Sequence, residues 1–337
     1  MKKNILDIFV LNLILGGLVL FSSCGDNKNN QPQHVAAAID YSTVPIPQFN
    51  ADSAYRFVQE QLSFGFRIPG TKAHLACAAY IETKMSEWCD TVIVQNFSAT
   101  LWNNQTVKGK NIIASIRPEL GKRILLAAHW DSRMWADHDS NVDNHKQPIM
   151  GANDGASGVA MLMELARVMK EQKLQVGVDF IFFDVEDQGI PEWTQEYQDN
   201  SWCKGSQYWA QHPHVQYYSA VYGILFDMVG SAEPRFTKEE ISRRYAPGIM
   251  NKVWNAADAL GYGNIFVDDE TDPILDDHLY VNQIMGIPMM DIVQNTPGVS
   301  FFEYWHTIYD NIDCIDKQTL KMVGDVTLKA IYADYAE

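Results

Sequence analysis

Positive charge is what this 337-residue chain has least of: 26 Lys and Arg face 42 Asp and Glu, for a net charge of −16. That deficit excludes nucleic acid or an anionic membrane surface as the partner, and gives a peptide with a free ammonium a mild electrostatic welcome. Cysteine is scarce too. Of the five, Cys77, Cys89, Cys203 and Cys314 show no CxxC pair and no Cys/His spacing of a structural zinc site. Internal repeats are absent, and nothing marks a second folded domain.

The single apolar run near the start lies at 8–21, behind Lys2 and Lys3 and ahead of Ser22, Ser23 and Cys24. It is too short for a comfortable span and has the shape of a secretory signal. Phe21-Ser22-Ser23-Cys24 resembles a bacterial lipoprotein signal, with Phe21 where Leu is commoner. That resemblance implies a lipid on Cys24, and an exported protein held on a membrane and facing the periplasm or cell surface. Export permits disulfides while a core of this size stands without them, so zero, one or two bridges remain open. Residues 25–49, rich in Asn, Gln, Ala and Pro without period, read as a flexible tether, and 50–337 as one catalytic domain.

Helical spacing of apolar residues occurs at 51–62 and 73–85, with a loop punctuated by Gly65, Pro69 and Gly70 between them. Short β-rich runs follow at 91–97, 111–116 and 123–128, then an apolar helix at 157–171 and a strand at 178–183. The stretch 188–202 holds Gly, Pro and three aromatics without period, the mark of a functional loop. Beyond it the pattern predicts a strand at 222–226, mainly helix over 237–260, a short helix at 277–285, a strand at 288–293 and a closing helix at 317–333. This alternation predicts a single α/β domain with a central mixed, mostly parallel sheet sandwiched by helices.

Acidic residues and histidines stand where these apolar runs end: His129 with Asp131, Asp154, Glu186 with Asp187, Asp227, Asp276 with Asp277, and His306. Strand ends are where an open parallel sheet builds its site. An isolated acidic pair is usually a solvated turn, Asp154 can cap a helix, and a lone His beside a Trp is usually packed. Together, Asp154, Asp187 and His306 make a one-histidine, two-carboxylate set suited to zinc with an open position. Glu186 remains free for proton transfer. His129 and Asp131, with Asp227, suit either a second ion or support of the first ion's ligands.

His129-x-Asp131, the 151–158 stretch with Asp154, Glu186-Asp187, Asp227 and His306 occur in the order typical of the zinc aminopeptidases with a phosphorylase/hydrolase-like α/β fold. Within that superfamily the chain resembles the glutaminyl-peptide cyclotransferases, on His129-Trp130-Asp131-Ser132, Trp193, Asp227-Met228-Val229-Gly230, Asp276-Asp277-His278 and Trp305-His306-Thr307. Two positions depart: Asp187 stands where animal cyclases carry Glu, and Asp291 where they carry a pocket His.

The resemblance implies a single zinc on Asp154, Asp187 and His306, and Glu186 as proton carrier. It makes Asp227 and Asp276 catalytic hydrogen-bonding partners, Trp193 and Trp305 the walls of a glutamine pocket, and leaves His129 unligated. The implied reaction closes an N-terminal glutamine of a peptide or protein to pyroglutamate with loss of ammonia. A two-zinc aminopeptidase is the alternative, with His129 and Asp227 completing a second site. A lipid-anchored peptide-binding protein with a lapsed site is a further one.

Overall fold

Seven-residue strands with no exposed side chain need cover on both faces, and the architecture supplies it. The computed structural model describes residues 39–172, 174–194, 198, 200–296 and 301–335. The expected leader 1–24, residues 25–38 of the expected tether, and loop positions Pro297 and Gly298 lie outside the described residues.

Helices α1 (Ala51–Leu62) and α2 (Lys72–Trp88) come first, followed by strands β1 (Thr91–Thr100), β2 (Thr106–Ile116) and β3 (Arg123–His129). Next come α3 (Ala156–Met169), β4 (Gly177–Phe183), α4 (Lys204–Gln211), β5 (Gly223–Asp227), β6 (Phe236–Glu239) and α5 (Glu240–Tyr245). Helix α6 (Pro247–Ala259), β7 (Phe266–Thr271), α7 (Asp277–Tyr280), β8 (Met289–Val293) and α8 (Lys317–Tyr335) complete the order. Six strands form one sheet in the order β1-β2-β4-β3-β5-β8. The last four run parallel to one another, and β1 and β2 add an antiparallel hairpin at one edge.

Alternation along each strand divides the core. Ile112, Leu126, Phe180, Phe226 and Ile292 pack under α1, α3, α6 and α8, whereas Ile113, Leu125, Ile181, Leu225 and Met289 pack on the other face with Trp209 of α4 and Val281. Every residue of α3 except Arg167 is buried. A Cβ at Gly158 would stand 2.2 Å from the Phe226 carbonyl oxygen and 2.9 Å from Cβ of Ala128. The missing side chain lets the start of α3 settle between the ends of β3 and β5, which delivers Asp154 to the sheet's carboxyl edge.

Four expectations change. The hairpin strands are longer than 91–97 and 111–116, and pair from Thr91 with Ser115 to Thr100 with Thr106. The region 237–260 opens with β6, which pairs in parallel with β7. The acidic, exposed β7 carries no apolar alternation, and cross-strand charge pairs such as Lys238–Asp268 at 2.6 Å flank it instead. The helix at 277–285 divides into α7 and a wider π turn over 281–285. The last part of the expected tether 25–49 is docked on the domain: Phe49 is buried against Gly324 and the Val44 carbonyl accepts from Lys329 Nζ at 2.6 Å. Cys77, Cys89, Cys203 and Cys314 are free thiols. Among the described residues no helix is long and apolar enough to cross a membrane.

Gly158→Ala is expected to lower the urea unfolding free energy by about 1–3 kcal/mol through overpacking at the α3–β5 crossing. An unchanged midpoint would show that the crossing has slack.

Candidate active site

The strands β3, β4 and β5 end in His129, Phe183 and Asp227, so the residues just past them gather at one edge. The turn after β4 is held from two sides. Asp184 accepts His74 Nε2 at 2.9 Å and the Lys110 amide at 2.6 Å. Asp131 accepts the amides of Glu186 at 3.0 Å and Asp187 at 3.2 Å, and Gln188 Nε2 at 3.0 Å. Burial raises a carboxyl's pKa, but His129, with its Nδ1 3.7 Å away, and these N–H groups outweigh it and keep Asp131 low. Asp131 is therefore an anchor of the turn. On the facing loop, Asp310 does the same for the amides of Asn153 at 2.8 Å and Asp154 at 3.2 Å.

Asp154, Asp187 and His306 come together: one donor atom from each lies within 4.8 Å of the others, and all three are buried. His306 Nε2 is 3.1 Å from Asp187 Oδ1 and 3.5 Å from Asp154 Oδ2, while its Nδ1 faces Asp137 Oδ1 at 3.5 Å. Asp187 Oδ2 is buried with no hydrogen-bond partner among the described residues. The Arg133 guanidinium, which stands 3.5 Å from Asp187 Oδ1, is already bound to both oxygens of Asp137 at 2.7 and 2.6 Å. A buried imidazole and two carboxylates with an unanswered oxygen fit a zinc ion, and the Asp137 contact would orient the imidazole for it.

His129 sits one step deeper. Its Nε2 is 3.0 Å from Asp154 Oδ1 and 3.3 Å from Asp227 Oδ1, and these three residues form a second possible cation group. Burial pushes its pKa down, yet the nearby Asp131, Asp154 and Asp227 carboxylates carry it well above the usual histidine range.

Glu186 opens onto a cavity of about 290 Å3 lined also by Asp154, Asp187, Asp227, Asp276 and His306. Burial, followed by the nearby Asp276, Asp187 and Asp277 charges, lifts its carboxyl well above the ordinary range despite His129. Asp227 is pushed up to about 7, again chiefly by burial. Glu186 Oε1 accepts the Cys203 thiol at 3.1 Å.

The aromatic walls differ from expectation in one residue. Trp305 lines the cavity and stacks on His306 with 3.9 Å between ring centroids. Trp193 does not line it: 40 % exposed, it packs edge-on against Trp135 at 6.0 Å and beside His145 at 6.4 Å. Trp202 takes that place, parallel to His306 at 6.1 Å with Arg133 4.5 Å over its ring. Its position in the aromatic loop 188–202 was the only signal for it, and periodicity could not rank the loop's aromatics. Arg133, Asp137, Cys203 and Asp310 also escaped the sequence reading, since each acts by contacts far apart in the chain.

The sequence profile of peptidase family M28 matches residues 111–331. A glutaminyl cyclase of Bacteroides thetaiotaomicron, solved with bound N-acetylhistamine, is 48% identical, with a TM-score of 0.84 over 86% of this chain and 99% of that one. A Zn-dependent exopeptidase from Parabacteroides distasonis is 45% identical, with the same TM-score of 0.84 and the same coverage, 86% and 99%. Aminopeptidase YwaD of Bacillus subtilis is 26% identical across 71% of this chain, which spans 48% of that relative's length. The chain belongs to peptidase family M28.

Proposed function

We propose that this protein is a zinc-dependent glutaminyl-peptide cyclotransferase, which closes the N-terminal glutamine of peptides or proteins to pyroglutamate and releases ammonia. The observation that carries the reading is the cavity in which Trp202, Trp305, Phe301 and Ile274 stand round Glu186, Asp227 and Asp276. Its size suits one side chain, and its aromatic and aliphatic walls fit the methylenes of a glutamine beside the acidic floor. The full-length likeness to the Bacteroides cyclase supports the same reading.

In the reaction the substrate's α-amine nitrogen bonds to its own γ-carboxamide carbon, and the carbon–nitrogen bond to the departing amide nitrogen breaks. Asp154, Asp187 and His306 would hold zinc, which supplies a Lewis acid for the γ-carbonyl oxygen. Glu186 takes a proton from the attacking amine and returns it to the leaving ammonia. Its raised pKa suits a group that must carry a proton in mid-reaction at neutral pH. Asp227 and Asp276, on the cavity wall, accept hydrogen bonds from the amine and the leaving nitrogen. The walls keep the glutamine folded back on its amine, so an improbable conformer becomes the bound one. Asp131 supports the Glu186–Asp187 turn, and His129 supports Asp154 and Asp227.

A second reading draws on one observation: His129, Asp154 and Asp227 can also hold an ion, which would make a two-zinc aminopeptidase. Incubating the zinc-loaded protein with Gln-Phe and weighing the products separates the two. Loss of ammonia with one zinc per chain is expected; free amino acids with two zinc per chain would replace the cyclase with the peptidase.

Glu186→Gln is expected to lower turnover by about 10²–10⁴-fold with zinc retained. A variant at full rate would remove Glu186 from proton transfer. The Cys24 signal supports a membrane-held, exported form, so radiolabelled fatty acid should enter the full chain and be lost in Cys24→Ala. Equal labelling of the two would refute the lipoprotein assignment.

A further inference from the structure

Cys203 is fully buried, and its Sγ lies 3.1 Å from Oε1 of Glu186. The contact belongs to a wider latch. The Cys203 amide donates to the Glu186 carbonyl at 2.9 Å, and the Lys204 amide to the Val185 carbonyl at 3.0 Å. Val185 and Cys203 adopt φ of 58° and 56°, a left-handed backbone that a β-branched residue rarely takes, so two matched turns face one another. At Gly205 an added Cβ would stand 2.4 Å from the Asp184 carbonyl and 2.5 Å from Asn111 Oδ1. Only glycine lets the start of α4 close so tightly on the turn that carries Glu186.

We propose that Cys203 is a positioning residue: its thiol is a standing hydrogen-bond donor that occupies Oε1 of Glu186 and leaves Oε2 to exchange the proton with substrate. The inference rests on the reading of Glu186 as proton carrier.

The geometry suits this sulfur to donating, since its Sγ faces Oε1 of Glu186 at 3.1 Å. Burial, then the Glu186, Asp277 and Asp276 carboxylates around it, push the thiol well above its usual range, which favours the S–H form. A neutral S–H is also a weak donor, which fixes the carboxylate's rotation without greatly lowering its affinity for a proton. Oε2 stands 3.9 Å from His129 Nδ1, beyond hydrogen-bond range, and is free to serve the cavity that Glu186 lines. The latch therefore sets both the backbone and the side chain of one residue from one neighbour.

Cys203→Ala and Cys203→Ser test this in the zinc-loaded protein with a glutaminyl dipeptide. Losing the contact that fixes the rotation of the Glu186 carboxyl should cut kcat about tenfold in the Ala variant, with KM and zinc content unchanged, and the Ser hydroxyl should restore kcat to within about threefold. The S–H infrared stretch gives a reading that needs no turnover: the band missing from Cys203→Ala should shift in Glu186→Gln. An Ala variant as fast as the parent, a Ser variant as slow as Ala, or a band indifferent to Glu186→Gln would each overturn the assignment. Should the parent protein release no ammonia, the cyclase reading falls, and the infrared shift alone decides the hydrogen bond.

Discussion

Crowding carboxylates into a space that water scarcely reaches is the constraint to which the rest of this molecule answers. Asp131, Asp154, Glu186, Asp187, Asp276, Asp277 and Asp291 are all buried at or behind one edge of the sheet, with Asp227 partly buried among them. An unpaired buried charge costs several kcal/mol even after relaxation. The protein meets this cost in three ways. Asp131 and Asp310 collect backbone N–H groups, Asp154 is shared between His129 and His306, and Glu186, Asp227 and Asp291 are raised toward the neutral form. What is left unanswered among the described residues beside His306 is Asp187 Oδ2, where a divalent cation would relieve the site.

The same constraint explains the rigidity around the chemistry. The proposed proton carrier, Glu186, is fixed through Asp131 beneath its backbone and through α4 beside it, as a group that changes charge in place requires. The hydrogen bond between Asp184 and His74, whose ring stacks on Trp130, anchors the same turn to α2. His306 lies between Trp202 and Trp305, so its ring can move little and its Nε2 stays with the two carboxylates. Aromatic packing thus serves the metal centre as much as the cavity.

Much of the fold was legible in one dimension because burial on both faces leaves a plain signature. The all-apolar β3 and β4 and the apolar α3 read directly as the middle of a covered sheet. Where an element depends on partners instead of on its own pattern, the reading failed: β7 is charged and exposed, and the docked residues 39–49 look like linker until Phe49 meets Gly324. The ends of β1 and β2 were missed for a related reason, since pairing, not hydrophobicity, extends them.

The sequence by itself determined the chemistry available: which acids and histidines stand at strand ends, in which order, and that Asp154, Asp187 and His306 make a set of zinc-binding type. Ligand types and strand ends are local properties, and they survive in one dimension. The tertiary structure decided which of those residues meet and which only support. It turned Asp131 toward backbone amides, kept Trp193 out of the cavity in favour of Trp202, and set Cys203 against Glu186. Those outcomes hang on side-chain direction and on the crossing of α3 and α4 over the sheet, with tolerances of about an ångström, and no spacing along the chain encodes them.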